Sequence, residues 1–425
     1  MKSPFWVFAA VFLPALLLPP CAAAEPVAIV NGRIVTMGEA GIIENGTILV
    51  EDGRILAVGA ELDIPADARI VDARGGTITP GLIAAGSSLG VLEISSTPST
   101  IDDRVDSSRL GAAFDVSHGI NPDSTAIPVA RLGGVTRAVI SPIYGRSGGR
   151  DTMLFAGQAA LIALDGELAS EPDPRIAMML GLDEAAAQRA GGARGAVHTL
   201  LRAQIAAVRD DGRASDVGLS LEDFEALGPV VAGDRPLVVS VSSAADILKV
   251  VALAEDFDLD IVLNGAEEAW RVADAIAAAG IPVILNPTAN LPTRFETMSA
   301  SFRNAAVLHH AGVRIAIVGN DSAHRVREMR YNAGMAVARG LPYQAALEAL
   351  TINPALIFGL QDRLGSVEAG KIADIVVWDG DPLEPASQPQ FIFIDGREQP
   401  LTSRALALRD RYLPAICQDI EDSPC

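Results

Sequence analysis

The fold is decided by residues 235–288, "RPLVVSVSSAADILKVVALAEDFDLDIVLNGAEEAWRVADAIAAAGIPVILNPT". Three short apolar runs, "PLVVSV", "DIVLNG" and "IPVILN", are separated by "AADILKVVALAEDF" and "EEAWRVADAIAAAG", where apolar residues recur at helical spacing. Runs that are apolar throughout belong in a sheet buried on both faces, and strands that alternate with helices build a parallel one. The pattern extends outward, with "GGVTRAVISP" earlier and "VRIAIVGND" later. Regular spacing makes a (β/α) barrel the expected architecture of an α/β chain. The competing doubly wound sheet lacks a glycine-rich dinucleotide turn. Residues 166–235 are less regular and predict a helix or two among exposed loops.

Both ends of the chain have a different texture. Near the start come "VAIVNGRIVTM", "GTILVEDGRILAVG" and "ARIVDARGGTITPG", with Asn31-Gly32 and Asp52-Gly53 as two-residue hairpin signals. Near the end, "DIVVWDGDP" and "FIFIDGREQP" are β-branched runs stopped by Asp-Gly. Strands at both termini predict one small β-sandwich built from 25–79 and 365–425, with the barrel over 80–364 as an insert between its halves.

With 53 Asp and Glu against 33 Lys and Arg, the formal charge is −20. An acidic protein is repelled by phosphate backbones and anionic lipid, so neither nucleic acid nor a membrane surface is an expected partner. Residues 1–24 hold one cation, Lys2, then an apolar run and Ala22, Ala23 and Ala24 before Glu25. That is the layout of a cleaved export leader, too short and proline-broken to span a membrane. Cleavage after Ala24 sends the chain to the periplasm or the cell exterior, while lipidation of Cys21 is the competing reading. Cys417 and Cys425, the two cysteines past the leader, either close a short disulfide loop or remain free thiols, and no zinc-type cysteine spacing occurs.

Several separated pieces carry a family resemblance: "NGRIVTM", "TPGLI" at 79–83, "GINPD" at 119–123, "AGQAALIALDG" at 156–166, "NAGMAVARGLPYQAALEALTINPALIFGL" at 332–360 and "RLGSVEAGKIADIVVWDGDPLE" at 363–384. In their order and spacing the chain resembles the amidohydrolase superfamily, and within it the secreted imidazolonepropionase-like branch. The resemblance implies a TIM-like (β/α)8 barrel with a β-sandwich from both ends. It also implies hydrolysis of non-peptide C–N bonds by one or two divalent metals, with an aspartate on the last barrel strand taking a proton.

Carried over residue by residue, the metal ligands are missing. Gly86 and Ser88 stand where the resemblance implies two histidines, Ala84 where an aspartate is common, Ser240 where a strand ends in histidine, and Asn264 and Gly265 where another is implied. Asp321 in "IVGNDSAH" remains. Past the leader the lysines are Lys249 and Lys371, and neither is placed to act as a bridging carboxylated lysine. His118 and His198 fall outside the matched strands, His309 and His310 lie in a helical stretch, and His324 alone lies near the implied mouth.

The replacements are small, which predicts an open, metal-free cavity at the C-terminal face of the barrel rather than a plugged one. The expected function is a degenerate, weak or inactive hydrolase relative that binds a small ligand or partners a metal-competent relative or a second copy. Ser88, Ser240, Asn286, Arg294, His324 and Arg325 are the candidate ligand-binding residues and Asp321 the candidate catalytic one, paired with His324, Arg325 or Arg294. Asp321 and Asn286 also have plain structural readings, in a turn after a strand and in a tight loop. The alternative is an active C–N hydrolase on a reduced site around Asp321 and His324, with zinc or a similar cation. There is no Gly-X-Ser-X-Gly elbow or phosphate loop, and 4% aromatic content argues against a stacking platform.

Overall fold

Five strands at the start of the chain form most of one sheet: β1 Val27–Val35, β2 Ile42–Glu51, β3 Arg54–Gly59, β4 Arg69–Asp72 and β5 Thr77–Pro80. The computed structural model describes residues 25–105, 110–144, 154–289, 291–319 and 323–419. Residues 1–24, where the sequence predicts an export leader, and Asp321 and Cys425 lie outside them. Asp52-Gly53 turns the β2–β3 hairpin with φ of 48° and 77°, the paired positive values that such a turn needs.

Asn31-Gly32 does not turn a hairpin. It lies inside β1, where the register with β2 shifts. Asn31 has φ 59°, and its side chain donates to Asp72 at 3.0 Å. The resulting bulge bends β1, so that Val27–Val30 pair with β4 and Arg33 and Ile34 with β5.

The second sheet has eight strands: β6 Leu82–Ser87, β7 Val135–Ile140, β8 Phe155–Ala163, β9 Asp173–Gly181, β10 Leu237–Val241, β11 Ile261–Gly265, β12 Val283–Leu285 and β13 Ile315–Ile317. They lie side by side in chain order. Its two edges meet the same segment: the N–H of Ile83 donates to Leu350 at 2.9 Å and that of Ile317 to Ala349 at 3.0 Å. The sheet is therefore a nearly closed barrel. One strand departs from the parallel rule, because β8 runs antiparallel to both β7 and β9.

Side-chain alternation sorts the strands. Leu237, Val239 and Val241 of β10 face the helices, among them Ala244–Phe257, while Val238 joins Ile83, Val139, Val262, Ile284 and Ala316 in the separate barrel interior. The same period of two points Ser240 and Asn264 inward, one step beyond that apolar layer.

After the barrel, β14 Ile375–Trp378, β15 Pro389–Ile394 and β16 Arg397–Glu398 return to the first sheet, in the order β16-β15-β14-β5-β1-β2-β3. Both chain ends thus supply it. Trp378 is fully buried between the two units, its indole donating to Thr79 at 3.0 Å. Arg137 of β7 grips Asp374 at 2.7 and 3.1 Å and Asp395 at 2.6 Å across the same junction. Burial works against the guanidinium charge, and the two carboxylates more than offset it.

Candidate functional site

A cavity of about 390 Å³ opens at the C-terminal ends of the barrel strands. Strand ends supply much of the wall: Gly86 and Ser87 from β6, Leu180 from β9, Ser240 from β10, Asn264 from β11, with Ser88 one step past β6. Because β8 runs backwards, its first residues come to this mouth, and Ala156 joins the wall. Val318 and Gly319 after β13 complete the ring.

The polar groups are mostly neutral. Ser240 and Asn264 are register partners on adjacent strands, and the Asn264 amide donates to the Ser240 hydroxyl at 3.0 Å. Where the resemblance implies histidines, this chain has an amide–hydroxyl bond. Ser88 is 7% exposed, and its hydroxyl has no hydrogen-bond partner among the described residues. Gly86 has ample room: a Cβ there would meet only Ser141 Oγ, at 3.7 Å.

Two carboxylates belong to the wall. Asp103 is 1% exposed and is held by Arg104 at 2.6 and 3.1 Å. Asp183 caps the helix Glu184–Arg189 through the N–H of Ala186 at 3.0 Å. From the sequence the pair Asp102-Asp103 reads as a chance pairing of acids and Asp183 carries no signal, since each lies in a loop that no strand or helix pattern points inward. Tyr144 also lines the cavity, donating to Leu154 at 2.6 Å, with the Arg189 guanidinium 3.8 Å from its ring centroid.

The structure gathers Ser88 and Ser240 at this cavity and leaves the other described candidates out of its wall. Asn286 accepts from the Thr288 N–H and hydroxyl at 3.0 and 2.7 Å and from Asn332 at 3.1 Å, and donates to Gly319 at 3.3 Å, so it ties a loop to its neighbour. Arg294 is exposed and turned to Glu267 at 3.7 Å. Arg325 is exposed and bonded to Glu328 at 3.0 Å, and His324 is exposed beside it on the turn Ala323–Glu328. Local glutamates are a nearer counter-charge for both arginines than any group of the cavity wall. Asp321 lies outside the described residues.

A divalent metal needs at least three converging imidazole, thiolate or carboxylate ligands. Among the described residues no group of three or more His, Cys, Asp or Glu could hold one. The wall offers two carboxylates, one bound to a guanidinium and one to a helix end. The described residues do not fit the metal centre that the resemblance implies.

Residues 267–402 match the Amidohydrolase family. The chain is 27% identical over 391 residues to Amidohydrolase tasK of Hapsidospora irregularis, which covers 83% of this chain but only 40% of that longer protein. It is 26% identical over 408 residues to an imidazolonepropionase of Mesorhizobium japonicum, covering 82% of this chain and 91% of that one. Among solved structures, an amidohydrolase from Thermotoga maritima superposes with a TM-score of 0.76 at 26% identity, covering 89% of this chain and all of its own.

Proposed function

The chain belongs to the amidohydrolase superfamily, and from that premise we propose that it is a non-catalytic relative whose barrel mouth binds a small molecule without a metal. The observation that carries this reading is the open cavity walled by Gly86, Ser88, Ser240 and Asn264, the positions where the resemblance implies metal ligands. Its volume of about 390 Å³ is in the range that encloses small ligands. Strand ends on a packed barrel make a rigid frame, so the wall keeps its shape whether or not chemistry occurs there. The protein acts in the periplasm or outside the cell, alone, as a homo-oligomer, or beside a metal-competent relative. Among the described residues no helix is long and apolar enough to cross a membrane.

A second reading, a working C–N hydrolase around Asp321 and His324 with a divalent metal such as zinc, is favoured by the likeness to imidazolonepropionases. Turnover separates the two. Incubated with an imidazolone propionate and a dipeptide panel, with and without added zinc, the protein is expected to give no more product than its Asp321→Ala variant. Zinc-dependent hydrolysis that Asp321→Ala abolishes would establish the second reading instead.

A further inference from the structure

We infer that the cavity at the barrel mouth selects a small molecule carrying a protonated amine on an apolar body, a conclusion that rests on the ligand-binding reading above. Among the described residues, the charged side chains of the wall are Asp103 and Asp183, both carboxylates, and no Lys, Arg or His lines it. Asp103 acts as half of an ion pair, its two oxygens held by Arg104 at 2.6 and 3.1 Å. Asp183 has more to give. It is partly exposed, its Oδ1 accepts the N–H of Ala186 at 3.0 Å, and that is the carboxylate's one hydrogen bond among the described residues.

The neighbouring cations stand outside the wall. Arg189 lies over the Tyr144 ring, 3.8 Å from its centroid, with its Nη1 buried and unbonded among the described residues, and Arg194 bonds Asp246 at 2.9 Å and Glu296 at 2.8 Å. A carboxylate ligand would therefore meet the unpaired Asp183 charge and no cation in the described wall, a desolvation cost with nothing there to offset it. An ammonium meets the reverse: the Asp183 carboxylate, and serine hydroxyls at 87, 88, 141 and 240 that accept its N–H groups. The formal charge of −20 also draws cations toward the surface.

The rest of the wall sets the body of the ligand. Ile143, Ala156, Met179, Val238, Ile284 and Phe358 give it an apolar lining, so a lone ammonium ion or a polyamine would leave most of the surface unmatched.

Calorimetric titration at pH 7 with 2-phenylethylamine, 2-phenylethanol and phenylacetate tests the inference, because the three differ little in size and differ in charge. The expected result is saturable binding of the amine, roughly tenfold or more tighter than the alcohol, with phenylacetate weakest. Asp183→Asn keeps a good helix cap and removes the charge, so it is expected to erase most of the amine's advantage while the melting temperature stays near that of the wild type. Equal or tighter binding of the alcohol or of phenylacetate overturns the charge selection and leaves the ligand-binding reading standing. An amine preference unchanged in Asp183→Asn also overturns it. Binding by none of the three counts against both.

Discussion

At Gly265 and Gly86 two small residues stand where histidines are implied, and they are small for different reasons. Gly265 has φ 81°, a left-handed conformation that L side chains rarely adopt, and a Cβ there would meet only the Glu267 carboxylate, at 3.4 Å. The backbone itself disfavours a side chain there. Gly86 is under no such constraint, with 3.7 Å to its nearest neighbour, so packing does not explain the glycine. Ser88 and Ser240 were legible because a matched strand motif fixes what its end faces. Arg294, His324 and Arg325 were misplaced because they lie in loops, where sequence neighbours say little about direction. Asp246 gives a test at this scale. His198 with Nε2 3.8 Å away, Lys249 and Ser243 hold its carboxyl well below the usual range, against the effect of burial. A depressed carboxyl stabilises the fold fully above its unfolded pKa, near 3.8, and loses that contribution as pH falls toward the folded value. Asp246→Asn is expected to cost about 1–3 kcal/mol at pH 7. In urea unfolding the gap from wild type should narrow at pH 3 and below, and a gap independent of pH would contradict this.

At the scale of elements, the apolar runs β7 and β10 to β13 were readable, and β8 and β9 were not. Helices separate β10 through β13, which gives the sequence its rhythm, whereas β7, β8 and β9 follow one another antiparallel with no helix between them among the described residues. The alanine-rich "FAGQAALIA" of β8 has weak strand propensity, and burial on all but its last position overrides it. Asn31-Gly32 shows the same limit: the pair demands positive φ, and a bulge satisfies that as well as a hairpin does. The join between sheet and barrel makes its own prediction. Gly134 has φ 83°, and a Cβ there would run into the indole of Trp378. Gly191 has φ 92° with open space around it. Gly134→Ala should therefore cost about 3 kcal/mol or more, and Gly191→Ala only about 1–2 kcal/mol, since it carries the backbone term alone. Equal losses of urea stability would mean that Trp378 yields and the packing argument is wrong.

Across the whole molecule, the barrel and the sheet drawn from both termini were legible because periodicity and hairpin signals are local. The cavity was legible only through family resemblance, since strand ends that meet in space are far apart in sequence. Its acidic wall, set by Asp103 and Asp183, emerged only from the folded arrangement. The account's central claim is that this mouth works without a metal. Elemental analysis by plasma mass spectrometry tests it, with the protein purified without a polyhistidine tag or chelator and exposed to zinc, manganese or iron. The account predicts no metal above background in wild type or in Asp321→Ala. Near-stoichiometric metal in wild type that Asp321→Ala loses would contradict it and return the protein to the metal-dependent hydrolases.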